Sequence, residues 1–287
     1  MPIQQLLGSH EKDLGGGFMV RRLLPAAAKR SVGPFVFFDH FGPVTLQPGG
    51  NTDVRPHPHI GLATVTYLFE GAIDHRDSLG SFQRIEPGAI NWMTAGRGIV
   101  HSERGPADLK SAPYVSHGLQ LWVALPEQSE ECEPAFEHTS ASAIPEFTEG
   151  GARVRLLVGE GWGLRSPVRA NSPTFYLDVA LEPGAAFTLP AGPHELAVYP
   201  VDGDLEIDGQ PVPARKMAAL LDAQPAVIRA PRGARLMVLG GEKLAHQRFM
   251  WWNFVSSRKE RIEQAKADWE AQRMGQVPGE TEFIPLP

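Results

Sequence analysis

Four residues in the first half of the chain have the types and spacing of a metal site. His57 and His59 stand two apart in "RPHPHIGLATVTYLFEG" (55–71), and His101 and Glu103 stand two apart in "GIVHSE" (98–103). In an extended chain residues i and i+2 share a face, about 7 Å apart, so each pair projects to one side of its strand. Two imidazoles from one strand, with an imidazole and a carboxylate from another, give three nitrogens and one oxygen for a first-row divalent ion. Closed structural sites commonly use cysteine in a tetrahedral shell. A cysteine-free set on an ion that accepts an octahedral shell leaves two positions open for chemistry.

An internal repeat serves as a control on this reading. "YLFEG" (67–71) resembles "YPVDG" (199–203), and "AGRG" (95–98) is echoed by "APRG" (230–233). On that alignment His57 and His59 correspond to Leu189 and Ala191, and His101 and Glu103 to Leu236 and Val238. All four counterparts are apolar, so a strand fold alone does not demand polar residues there. The other histidines lack this patterning. His10, His138 and His246 lie in polar stretches without partners, while His40, His75 and His117 stand singly and read as hydrogen-bonded structural residues or pocket lining. His194 and Glu195 are adjacent and would point to opposite faces of a strand, which argues against a second metal site.

The elements that must position the four residues are strands. Thirty glycines and 26 prolines punctuate short runs rich in β-branched and aromatic residues: "FVFFD" (35–39), "ATVTYLFE" (63–70), "GLQLWVAL" (118–125), "TFYLDVAL" (174–181), "ELAVYPV" (195–201) and "RLMVLG" (235–240). Asp208-Gly209 is a hairpin signal. The pattern predicts a mostly β fold, a sandwich or barrel of antiparallel strands whose inward residues can converge on an ion. The repeat predicts two related domains, 1–130 with the metal and 131–287 without one. Near the C-terminus "SSRKERIEQAKADWEAQRMG" predicts a short helix packed on its own domain. Its signals are a capping box of Ser257 with Glu260, an apolar stripe at Ile262, Ala265 and Trp269, and Gly275 at its end.

Composition excludes several classes. With 42% hydrophobic and 21% charged residues the chain is an ordinary globular protein. A net charge of −6 argues against a nucleic-acid surface, and short basic groups such as Lys29-Arg30 read as solvated surface. The single Cys132, between Glu131 and Glu133, reads as inert because neighbouring carboxylates raise a thiol's pKa. No basic start followed by an apolar stretch opens the chain, and no apolar run is long enough to span a membrane, so the expected location is cytoplasmic.

The segments "RPHPHIGLATVTYLFEGAIDHRDSLG", "IEPGAINWMTAGRGIVHSE" and "GLQLWVALP" closely resemble the pirin family of bicupins, in the same order over at least residues 33–125. "GPFVFFDHFGP" is similar to that family's opening strand, with His40 where an acidic residue is expected, and "RFMWWNFVSSRKERI" looks like one branch of the family. Other cupins carry a glutamate shortly after H-x-H. Here that stretch is "IGLATVT", and Glu103, following His101, supplies the carboxylate.

Carried over residue by residue, the family's metal ligands fall on His57, His59, His101 and Glu103. The resemblance implies two double-stranded β-helix barrels, with iron in the N-terminal one and an ion-free C-terminal one. It also implies a quercetin 2,3-dioxygenase activity on a flavonol and O2. Fe(II) is the expected cofactor, although Zn, Mn, Ni, Co or Cu would suit the same donors. Glu103, the one ligand able to detach and take the proton of a flavonol 3-hydroxyl, is the expected general base. The alternative is a metal-bearing regulator without turnover, bound to a transcription factor or a metabolic enzyme; a third reading is an enzyme acting on a different enol.

Overall fold

The computed structural model describes residues 2–14, 17–50, 52–222 and 224–287. The chain forms two compact units that interleave in sequence. One comprises Met1–His10, Arg22–Phe38 and Ser142–Leu244; the other comprises Glu11–Arg21, Asp39–Ala141 and Ala245–Pro287. This differs from the expected single cut after residue 130, because both chain ends join the half remote from them in sequence. Strand Ile3–Leu7 pairs antiparallel with Met217–Leu220. The C-terminal helix packs against Ile60 and Val100 rather than on the second repeat.

In the unit that carries the candidate ligands, a four-stranded sheet runs in the order Val54–His59, Ile99–Arg104, Ile73–Asp77, Phe82–Ile85. A seven-stranded sheet includes Ala135–Thr139, Ile90–Thr94, Leu62–Glu70, Tyr114–Ala124 and Phe35–Leu46 as successive neighbours. The strand pairs around the ligands are antiparallel. Gly61 turns the chain between the two sheets at φ +67, and a Cβ there would lie 2.0 Å from the Val255 carbonyl oxygen, so only glycine fits.

The other unit repeats the arrangement. Its small sheet runs Ala186–Leu189, Ala226–Arg229, Leu205–Ile207, Gln210–Val212. Asp208 and Gly209, both at positive φ, close the last hairpin as the sequence predicts. The topology corrects the repeat alignment, however. His101 pairs with His57 and Ile99 with His59, while Ile228 pairs with Phe187 and Ala226 with Leu189. The true counterparts of His57, His59 and His101 are therefore Phe187, Leu189 and Ile228. Leu236 and Val238 lie on Ala234–Gly241, the equivalent of Tyr114–Ala124. The short Arg-Gly turn signal had matched two different turns. Phe187, Leu189 and Ile228 are buried in an apolar core and offer carbon where the first half offers nitrogen.

The helix spans Lys259–Glu270 and buries Ile262, Ala265 and Trp269, the expected stripe. Its ends differ from expectation. Arg258 occupies the N-cap without a side-chain hydrogen bond, because the Ser257 hydroxyl donates to Glu130 instead. Buried Glu130 also accepts from the Ser256 hydroxyl and the Ser257 N–H and lies 2.8 Å from Arg248 Nε. The helix ends before Gly275. Gln272 takes the left-handed conformation at φ +55, and the Gln272 and Arg273 N–H groups close on the Trp269 and Asp268 carbonyls in a Schellman arrangement.

Beyond it, the Trp269 indole N–H donates to the Ile284 carbonyl, and the Ile284 N–H donates to Pro56 in the first ligand strand. Trp269→Phe keeps the ring in its core but removes the indole bond. It is expected to lower stability by about 1 kcal/mol and to speed amide exchange at Ile284, read by mass-spectrometric hydrogen exchange. Unchanged exchange would mean that the indole does not tether the tail. Among the described residues no helix is long and apolar enough to cross a membrane.

Candidate metal centre

His57 and His59 end one strand, and His101 lies on its antiparallel neighbour directly opposite His57. The shared pleat turns all three imidazoles to one side, and one donor atom from each lies within 4.8 Å of the others. All three side chains are buried. Their Nδ1 atoms are each engaged at the back. His57 Nδ1–H donates to the Arg55 carbonyl at 2.8 Å, and His59 Nδ1–H to the Asn253 carbonyl at 3.1 Å. His101 Nδ1 meets His75 Nδ1 at 3.4 Å, and His75 Nε2 meets Asp77 Oδ2 at 3.0 Å.

Donation by Nδ1 fixes the tautomer that leaves Nε2 with a lone pair. His59 Nε2 and His101 Nε2 stand 3.1 Å apart. Two nitrogens bound cis to one ion at about 2.0–2.1 Å would have this separation. The electrostatics agree. Burial lowers His57 to about 4, a shift the Arg55 bond opposes and the neighbouring His75 reinforces. Burial likewise holds His59 and His101 well below the ordinary histidine value, so all three are neutral donors at pH 7. The donor set fits a divalent transition metal.

Glu103, expected as the fourth ligand and as a general base, lies outside the group of three converging donors. A register shift falls between His101 and Glu103, which pairs with Val54. Its carboxylate lies 3.2 Å from the Thr66 hydroxyl, which also lies 2.8 Å from Gln120 Oε1. Burial raises the Glu103 carboxyl above its ordinary value, against the pull of His75 and Thr66.

Several surrounding groups escaped the sequence reading. The Trp122 ring stands edge-on to His59 with centroids 5.2 Å apart. His75, read as a lone structural histidine, backs His101 and stacks on Phe136 at 4.2 Å. Its signal was the i, i+2 spacing to Asp77 in "IDHRD". The Asn253 carbonyl had none, being backbone from a segment 194 residues away. His40 and His117 pair with each other, Nε2 to Nε2 at 2.8 Å, outside the converging group. His138 and His246, expected to lack partners, meet Asn91 and Glu127. Glu195 is committed to Lys29 and the Gly33 N–H. Cys132 is held above the usual thiol range by burial, then by Glu133, in keeping with an inert thiol.

Comparison with known proteins places these features in context. The Pirin family profile matches residues 17–123, and that of the Pirin C-terminal cupin domain matches residues 176–275. A pirin-like protein of Caulobacter vibrioides is 49% identical over 99% of both chains. Human pirin is 33% identical over 93% of this chain and 91% of its own. The crystal structure of a quercetin 2,3-dioxygenase from Acinetobacter baumannii superposes with a TM-score of 0.92, at 34% identity, over 99% of this chain and 94% of that one.

Proposed function

Because the chain belongs to the pirin family, we propose that it is a metal-dependent dioxygenase of the quercetin 2,3-dioxygenase type, with its ion on His57, His59, His101 and Glu103. The observation that carries the reading is the convergence of three buried, neutral imidazoles whose Nδ1 atoms are all engaged. The likeness to the Acinetobacter enzyme supports a flavonol and O2 as substrates.

Fe(II) is the proposed ion, and it supplies Lewis acidity and one-electron chemistry toward O2. The chain's own residues do the rest. The histidines hold their lone pairs inward and exclude water by their burial. Glu103, whose proton affinity burial has raised, accepts the proton of the flavonol 3-hydroxyl through its carboxylate. Thr66 holds that carboxylate by its hydroxyl, and the Trp122 ring beside His59 offers a flat apolar wall to a planar substrate.

The test is anaerobic loading with Fe(II), then quercetin and air. Loss of flavonol absorbance with release of carbon monoxide is expected for the native chain and neither for His101→Ala. If native protein binds iron and the flavonol persists, the reading fails for this substrate. The non-catalytic regulator, with a protein partner, then becomes the better account.

A further inference from the structure

All three converging imidazoles are anchored at Nδ1, but their anchors differ in kind. His57 and His59 rest on backbone carbonyls, which are fixed acceptors. His101 rests on a second imidazole, whose ring nitrogen donates or accepts according to its own tautomer. That second ring is itself held. His75 Nε2 faces Asp77 Oδ2 at 3.0 Å, and the ring lies flat on Phe136 with planes 12° apart. Asp77 is fully buried and its other oxygen, Oδ1, accepts the Leu79 and Ser81 N–H groups.

A carboxylate only accepts, so His75 Nε2 carries a proton, and in a neutral His75 ring Nδ1 keeps the lone pair. His101 Nδ1 then donates, and His101 Nε2 is left free toward His59. We propose that Asp77 and His75 form a positioning relay that fixes the metal-binding tautomer of His101 and strengthens it as a donor. The proposal rests on His101 being a ligand, though not on any particular substrate. Outer partners of this kind orient ligating imidazoles and increase their basicity. Here the carboxylate acts through an intervening ring.

Asp77→Asn tests the relay with little change of shape. The amide oxygen can keep the Leu79 and Ser81 bonds, which places the NH2 group against His75 Nε2. His75 must then carry its proton on Nδ1, opposite His101 Nδ1, and His101 must move its own proton to Nε2, the atom that would bind metal. Co(II) affinity, measured by chelator competition in the full chain, is expected to fall about 10- to 100-fold. The visible Co(II) spectrum should change with it, and nitrogen chemical shifts of the metal-free protein should report the switched tautomers.

His75→Gln supplies the rescue. Its carbonyl can accept from His101 while its NH2 donates to Asp77, so it should hold Co(II) more tightly than His75→Leu even if both lower thermal stability equally. Asp77→Asn binding Co(II) within twofold of native protein, with the same spectrum and tautomers, would overturn the relay alone. Native protein that fails to bind Co(II), or His101→Ala that still binds it as tightly, would overturn the ligand assignment together with the relay.

Discussion

Replacing His59 by alanine is expected to abolish stoichiometric metal binding, with a loss larger than the 10- to 100-fold that follows removal of an outer partner (more than about 100-fold). The reason is geometric. His59 Nε2 and His101 Nε2 already stand 3.1 Å apart, so the pair defines one edge of a coordination shell before an ion arrives. Without His59 the Asn253 carbonyl loses its donor, and two imidazoles remain. Equilibrium dialysis against Fe(II) under anaerobic conditions reads the loss, with circular dichroism to show that the sheets persist. Glu103→Gln provides the contrast. In the proposed four-ligand shell it replaces an anionic donor with a neutral one and is expected to weaken binding less than His59→Ala. Unchanged affinity in Glu103→Gln would leave a three-histidine site with the carboxylate outside it. Full binding by His59→Ala would move the site elsewhere.

The contrast between Glu103 and the histidines shows where sequence reasoning holds and where it stops. His57, His59 and His101 were legible because strict alternation places i and i+2 on one face, and their strands pair in regular register. Between His101 and Glu103 the register shifts against Val54–His59 but stays regular against Ile73–Asp77, so alternation still gives the face of Glu103 and leaves open only how far its carboxylate stands from the three imidazoles. The strands themselves were legible from apolar runs cut by glycine and proline. The C-terminal helix was legible as an element, but its packing partners Ile60 and Val100 lie far away in sequence, and nothing in its stripe names them. Its capping box failed for a related reason: Glu130, remote in sequence, competes for the Ser257 hydroxyl. The repeat misled by a slip between similar turns, since Arg-Gly at a turn says little about which strands it joins. Its chemical conclusion survives on Phe187, Leu189 and Ile228. What the sequence could not disclose is the layer behind the ligands, where one anchor is a backbone carbonyl and another is a histidine that looks like any buried histidine.

Burial of the three imidazoles leads to a strong pH dependence in the metal-free protein. Burial lowers His57 to about 4, whereas in the unfolded chain a histidine titrates near 6.5. Between those values the unfolded chain binds a proton that the folded chain refuses, so the His57 contribution to stability falls as pH drops from about 6.5 toward 4. The depression at His57 alone corresponds to roughly 3 kcal/mol, and His59 and His101 are shifted in the same direction. At about 2–4 °C per kcal/mol for chains of around this size, the melting temperature of apo-protein is expected to drop by more than 5 °C between pH 7 and pH 4.5. His57→Gln should flatten the slope in that window, whatever it does to the melting temperature at pH 7. Bound metal needs the same imidazoles neutral, so it should raise the curve at pH 7 and lose its effect as protons displace it. A flat apo-protein profile between pH 7 and 4.5 would mean that the three imidazoles take up protons freely. Their burial would then not be what keeps their lone pairs available.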